Sequence, residues 1–150
     1  MEKKTTLDEM IPVMCKVLES GGKFTFAPFG NSMRPLIKSG KTQIVLEKNN
    51  NNFKLGDVPL FRRNNGSLVL HRIVKIDENG YVTVGDNELR KEAYFKNEDA
   101  YGIMCGYYKG KKFVSVESKR YKFYMKIILP IWKFYKRVKR KLKIGKNNEN

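Results

Sequence analysis

The chain opens on apolar residues at helical spacing and then changes period. Leu7, Met10, Ile11, Met14, Val17 and Leu18 recur at intervals that put them on one face of an α-helix. Thr6, with Glu9 three residues on, reads as a capping box at its start, and Gly21-Gly22 as its stop. The pattern predicts a short amphipathic helix over 6–20, with Pro12 tolerated near the first turn. It is too short and too polar to span a bilayer, which takes about 20 mostly apolar residues.

From Phe24 to about Val116 the text is one of strands and turns. Phe24-Thr25-Phe26, Thr42 to Leu46, Val58 to Arg62, Leu68 to Ile76, Tyr81 to Val84 and Lys112 to Val116 are β-branched or aromatic runs. Asn49 to Asn52, Asn64-Asn65-Gly66, Glu78-Asn79-Gly80 and Lys109-Gly110 punctuate them. Short strands at this spacing predict a mainly β fold, a small coiled antiparallel barrel. The final segment, "YKFYMKIILPIWKFYKRVKRKLKIG", mixes apolar and aromatic residues with regular lysines, and Pro130 is expected to kink or interrupt it. The expected organisation is an N-terminal helix in 1–22, a β domain in 23–118 and a basic aromatic helix and tail in 119–150. One domain of this length buries roughly two thirds of its unfolded surface and needs no covalent staples.

Charge changes this picture only at one end. The formal net charge is +16, and residues 119–150 hold twelve Lys or Arg against the single acid Glu149, leaving +5 for residues 1–118. A basic segment rich in aromatics suits a helix lying in an anionic membrane interface, through Trp132, Lys133, Phe134, Arg137 and Arg140. No nucleic-acid-binding motif accompanies it, so nucleic acid is the weaker reading of the charge. Cys15 and Cys105 match no metal-ligand spacing and read as small hydrophobes in a reducing compartment. No metal and no cofactor is expected, and no segment reads as a cleavable leader.

The residues that could do chemistry are few. Ser32 lies in the loop "FGNSMRPLIKSG", and a serine needs a base before it becomes a nucleophile. The one histidine, His71, falls inside "SLVLHRIVKI", where period two puts it on the opposite face from Leu70 and Arg72. "VTVGDNE" ends a strand in a tight turn, and the carboxylates of Asp86 and Glu92 are candidates to orient an imidazole.

Four blocks in order, Gly30-Asn31-Ser32-Met33-Arg34-Pro35, Leu55-Gly56-Asp57-Val58, Val69-Leu70-His71-Arg72-Ile73-Val74 and Gly85-Asp86-Asn87, resemble the type I signal peptidase and LexA-type self-cleaving peptidase superfamily over roughly residues 24–106. The resemblance implies a signal-peptidase-type barrel with Ser32 as nucleophile. Histidine rather than lysine in the third block matches the endoplasmic-reticulum and archaeal branch, which implies His71 as general base. It also implies roles for Asp86 and for the acid six residues later, here Glu92, with Asp99 as an outside candidate. Substrate would bind as an extended strand near Phe24, Phe26, Met33 and Pro35. Where the family carries a membrane span or a helix-turn-helix before the serine, this sequence has helix 6–20. The expected function is serine endopeptidase action on a peptide or preprotein, in the cytoplasm or peripherally on the cytoplasmic membrane. The rival is a barrel that holds a peptide or protein at the membrane without cutting it.

Overall fold

A computed structural model describes residues 7–92 and 94–147, so the Thr6 capping box lies outside the described residues. Helix α1 spans Leu7–Glu19 and buries Met14 and Leu18. Its C-terminus closes as expected: Gly21 takes φ +81°, and the Gly22 amide donates to Val17 O at 2.9 Å. Pro12 sits further inside the helix than the sequence indicated.

Eight antiparallel strands follow: β1 Phe24–Phe26, β2 Ile44–Glu47, β3 Pro59–Arg62, β4 Leu68–Leu70, β5 Arg72–Asp77, β6 Gly80–Val84, β7 Ala100–Lys109 and β8 Lys112–Ser115. The larger sheet runs β1-β2-β7-β3-β4 with β8 added to β7, and β5 and β6 form a second sheet. The protein is thus mainly β, with a helix at each end. Its apolar interior falls into two clusters. Met14, Leu18, Ile37, Leu46, Leu60 and Met104 form one beneath α1. In the other, the rings of Phe61 and Phe95 stack at 4.2 Å among Phe53, Val69 and Ile73.

Two strand assignments differ from the sequence reading. The first is β7, the longest strand and the centre of the larger sheet, which the apolar pattern did not single out because Gly102 and Gly106 interrupt it. Glycine inside a strand commonly marks a close approach. A Cβ at 106 would overlap the Phe113 ring and lie 2.7 Å from Val114 O; one at 102 would lie 2.9 Å from Leu18 Cδ1 and 3.0 Å from Glu47 O. Gly106→Ala is therefore expected to cost about 1–3 kcal/mol of stability through overpacking, read as a lower urea midpoint with an unchanged slope.

The second is the run through His71. Leu68 to Ile76 is not one strand: β4 pairs with β3 and β5 with β6, and His71 lies at the corner between the sheets. Five consecutive residues, Val69 to Ile73, are buried, so period two does not assign faces there.

The C-terminal helix is continuous through Pro130. Helix α2 (Lys119–Phe123) is capped by the Ser118 hydroxyl, a π-turn follows over Tyr124–Ile128, and α3 runs Leu129–Asn147. The π-turn carries the helix past the proline: the Leu129 amide donates to Tyr124 O, five residues back, in the turn where the Pro130 ring would otherwise crowd a carbonyl. Among the described residues no helix is long and apolar enough to cross a membrane.

Candidate active site

The loop after β1 carries Ser32, and the turn after β6 holds it. Asn87 N donates to Ser32 O at 2.7 Å, and Asn87 Nδ2 to Asn31 O at 3.1 Å. Gly85 packs so closely on the serine that a Cβ there would lie 2.6 Å from Ser32 O and 3.0 Å from Ser32 Cβ. A glycine at 85 is what lets this turn touch the serine backbone.

His71 is 2 % exposed. Its Nδ1 lies 3.3 Å from Glu92 Oε1, and its Nε2 lies 3.7 Å from Glu88 Oε2. The Nδ1 contact has ion-pair range without hydrogen-bond alignment, and Nδ1 has no hydrogen-bond partner among the described residues. Burial pushes the imidazole pKa below its ordinary value, against the opposing pull of Glu88 and Glu92. A neutral ring follows at neutral pH, the form a general base requires. Glu92 is fixed by two other contacts: its amide donates to Thr83 O at 2.8 Å, and its carboxylate takes the Arg63 fork, with Nε donating at 3.0 Å.

Asp86 is placed elsewhere. Arg72 clasps its carboxylate with Nε at 2.8 Å and Nη2 at 2.7 Å, and Tyr124 Oη donates to it at 2.9 Å. Arg72 Nη1 in turn donates to Gly56 O at 2.8 Å and to Tyr121 Oη at 2.7 Å. The arginine and aspartate side chains are 4 % and 1 % exposed, so this is a fully desolvated, bidentate pair. Burial alone would lower the guanidinium pKa, but the adjoining Asp86 more than offsets it and the net direction is up. Burial and Asp86 together raise that of Tyr124. Of the two acids read from the sequence, Glu92 therefore lies beside the imidazole, as Glu88 also does, while Asp86 anchors the turn to β5 and to the C-terminal helix.

Ser32 and His71 line one cleft of about 1000 Å³ together with Thr25, Phe26, Arg63 and Glu88. No hydrogen bond joins the two among the described residues. The cleft runs past β1 on one side and β4 on the other, and these are the two ends of the strand path. Phe26 and Met33 line it, Phe24 and Pro35 do not, and Met33 is also part of the core under α1. Asp99 caps a short 3-10 turn by accepting from Lys96 N at 2.8 Å, and among the described residues it forms no ion pair with His71.

The C-terminal residues divide by face. Phe134, Arg137 and Arg140 are exposed. Lys133 instead turns inward, donating to Gly85 O at 2.6 Å and to Glu88 O; burial pushes its ammonium pKa down, partly opposed by Asp86. Trp132 is half-buried with its Nε1 enclosed.

Sequence reasoning missed Glu88, Arg63 and Tyr124. Glu88 directly follows the Gly-Asp-Asn turn, a signal that was available. Arg63 and Tyr124 carried none, because their partners are 29 and 38 residues away. His71, Glu88 and Glu92 offer donor atoms within 4.8 Å of one another, a spacing open to a metal ion. The two carboxylates nevertheless face different ring nitrogens, and an ion would compete with Arg63 for Glu92.

A family model described as Peptidase S24-like matches residues 1–106. No curated protein and no solved structure matches the chain.

Proposed function

The chain belongs to the Peptidase S24-like family, and from that premise we propose that it is a serine endopeptidase with Ser32 as nucleophile, His71 as general base and Glu92 as the group that orients the imidazole. The observation that carries this is the buried His71 ring, held neutral, with one nitrogen facing Glu92 in the cleft that Ser32 lines. Ser32 Oγ attacks the peptide carbonyl carbon while His71 Nε2 takes its proton. The same proton then passes to the leaving amine as the C–N bond breaks, and water, deprotonated by His71, releases the acyl group from Ser32. The Ser32 and Met33 amides make no hydrogen bond among the described residues and are the candidate oxyanion donors, where one lost donor costs roughly 3 kcal/mol of barrier.

Substrate enters as an extended strand between the open edges of β1 and β4, where backbone pairing supplies affinity independent of side chains. The chain acts at an anionic membrane surface, to which α3 attaches peripherally. Ile131, Phe134, Tyr135, Val138 and Leu142 are 39–67 % exposed and recur on one stripe of that helix. The cations beside the stripe suit lipid phosphates rather than a second copy of the same basic helix.

A pH profile tests the chemistry. Because a lowered histidine pKa leaves the base neutral at lower pH, kcat/KM on a cleaved peptide is expected to rise with pH to a plateau, with its midpoint below the ordinary value of about 6.5. Glu92→Gln removes a carboxylate that raises that pKa, so the midpoint moves further down while the plateau falls by about 10²- to 10⁴-fold. An unshifted profile in Glu92→Gln removes Glu92 from the mechanism. A non-catalytic, peptide-holding domain is the second reading. It is favoured by the position of Glu88 at Nε2 and by the missing Ser32 to His71 hydrogen bond. It predicts peptide binding with no cleavage at any pH.

A further inference from the structure

A second groove, of about 1230 Å³, lies between residues 87–92 and the C-terminal helix. Arg34, Arg90 and Lys91 line it from the body, and Lys136, Lys139, Arg140 and Lys143 from α3. None of these seven has a carboxylate partner among the described residues. Lys139 lies over the Tyr135 ring at 5.8 Å. The acids in the lining among the described residues, Glu88 and Glu92, face His71, and Glu92 is also taken by Arg63.

Unpaired cations converging from three separate chain segments form a site for a compact anion, because each repels the others until an anion sits among them. Two neighbours specify its source. Trp132 and Tyr135 line the same groove, amphipathic rings of the kind that settle at headgroup depth. Tyr135 also belongs to the exposed stripe of Ile131, Phe134, Val138 and Leu142, so the groove and the apolar surface share a residue.

We propose that the groove between residues 87–92 and α3 binds the phosphate headgroup of an anionic lipid while the adjoining stripe enters the acyl boundary. This rests on the membrane reading above and gives it a definite site. Helix charge alone would make the body a passive load; here Arg90 and Lys91, outside the helix, are part of the attachment. Asn87 and Glu88 line both this groove and the Ser32 cleft. A bound headgroup therefore sets the cleft beside the bilayer surface, where the peptide within reach is the segment of a substrate next to the membrane.

The test is co-sedimentation of the full chain with vesicles of phosphatidylglycerol and phosphatidylcholine in equal parts, and with phosphatidylcholine alone. Arg90→Glu with Lys91→Glu is expected to weaken partitioning onto the anionic vesicles by about tenfold or more, since a basic residue near such a surface contributes roughly 1 kcal/mol. Lys109→Glu with Lys111→Glu changes net charge equally but lies outside the groove, and is expected to cost about twofold. Thermal melting confirms that each variant is folded. Equal losses from the two pairs, or no loss from Arg90 and Lys91, overturn the proposal, as does binding to a single-stranded oligonucleotide with none to the anionic vesicles. Sedimentation requires no cleavage, and Ser32→Ala is expected to partition like the wild type, so the peptidase reading can fail without moving this result.

Discussion

Asp86→Ala is expected to cost about 3–5 kcal/mol of folding stability, since it strands a buried guanidinium whose partner has gone. Arg72 is 3 % exposed and gives two of its bonds to Asp86; it keeps only the neutral acceptors Gly56 O and Tyr121 Oη. Tyr124 Oη loses its acceptor as well. The effect is read from urea unfolding of the full chain. A double replacement, Arg72→Met with Asp86→Leu, is expected to be less damaging than Asp86→Ala, because it removes both charges instead of uncovering one. At temperatures where Asp86→Ala remains folded, its pH midpoint for cleavage moves less than that of Glu92→Gln. Asp86 is last among the influences on His71, whereas Glu88 and Glu92 lead the opposing pulls. A stability loss under 1 kcal/mol would mean that the clasp does not hold the turn.

Ser32→Ala is expected to lower kcat by at least about 10³-fold on any peptide the protein cleaves, and His71→Ala to match it. The double variant is expected to be no slower than either single one. A nucleophile and its base act as a unit, so removing the second member of a disabled pair has nothing left to take away. Additive losses would place the two residues in separate roles, His71 in the core and Ser32 in substrate binding. On the proposed substrate path KM is expected to change little, because the strand edges of β1 and β4, rather than the serine, would hold the peptide.

The parts of the site that were legible are those built from short ordered blocks. The Ser32 loop, the Gly-Asp-Asn turn and the His71 segment come together, with Asn87 and Gly85 on the serine backbone. The Leu-Gly-Asp-Val block meets the same assembly, through Gly56 O on Arg72. Period two failed at His71 because alternation describes a strand with one wet face, and the corner between two sheets has none. It failed again at β7, where packing demands glycines that propensity counts against a strand. The C-terminal segment was legible as an amphipathic helix but not in its orientation. Tyr121, Tyr124 and Lys133 face the buried turn, a fact set by partners far away in sequence. The same distance explains Arg63 and Glu92, whose pairing crosses from the end of β3 to the segment after β6.

The most direct measurement is mass-spectrometric detection of new peptide termini after the purified full chain is incubated with a peptide library and anionic vesicles, for wild type, Ser32→Ala and His71→Ala. Cuts by the wild type that both substitutions abolish are the expected result. A Ser32→Ala protein that makes the same cuts, or a wild type that makes none on peptides it binds, contradicts it.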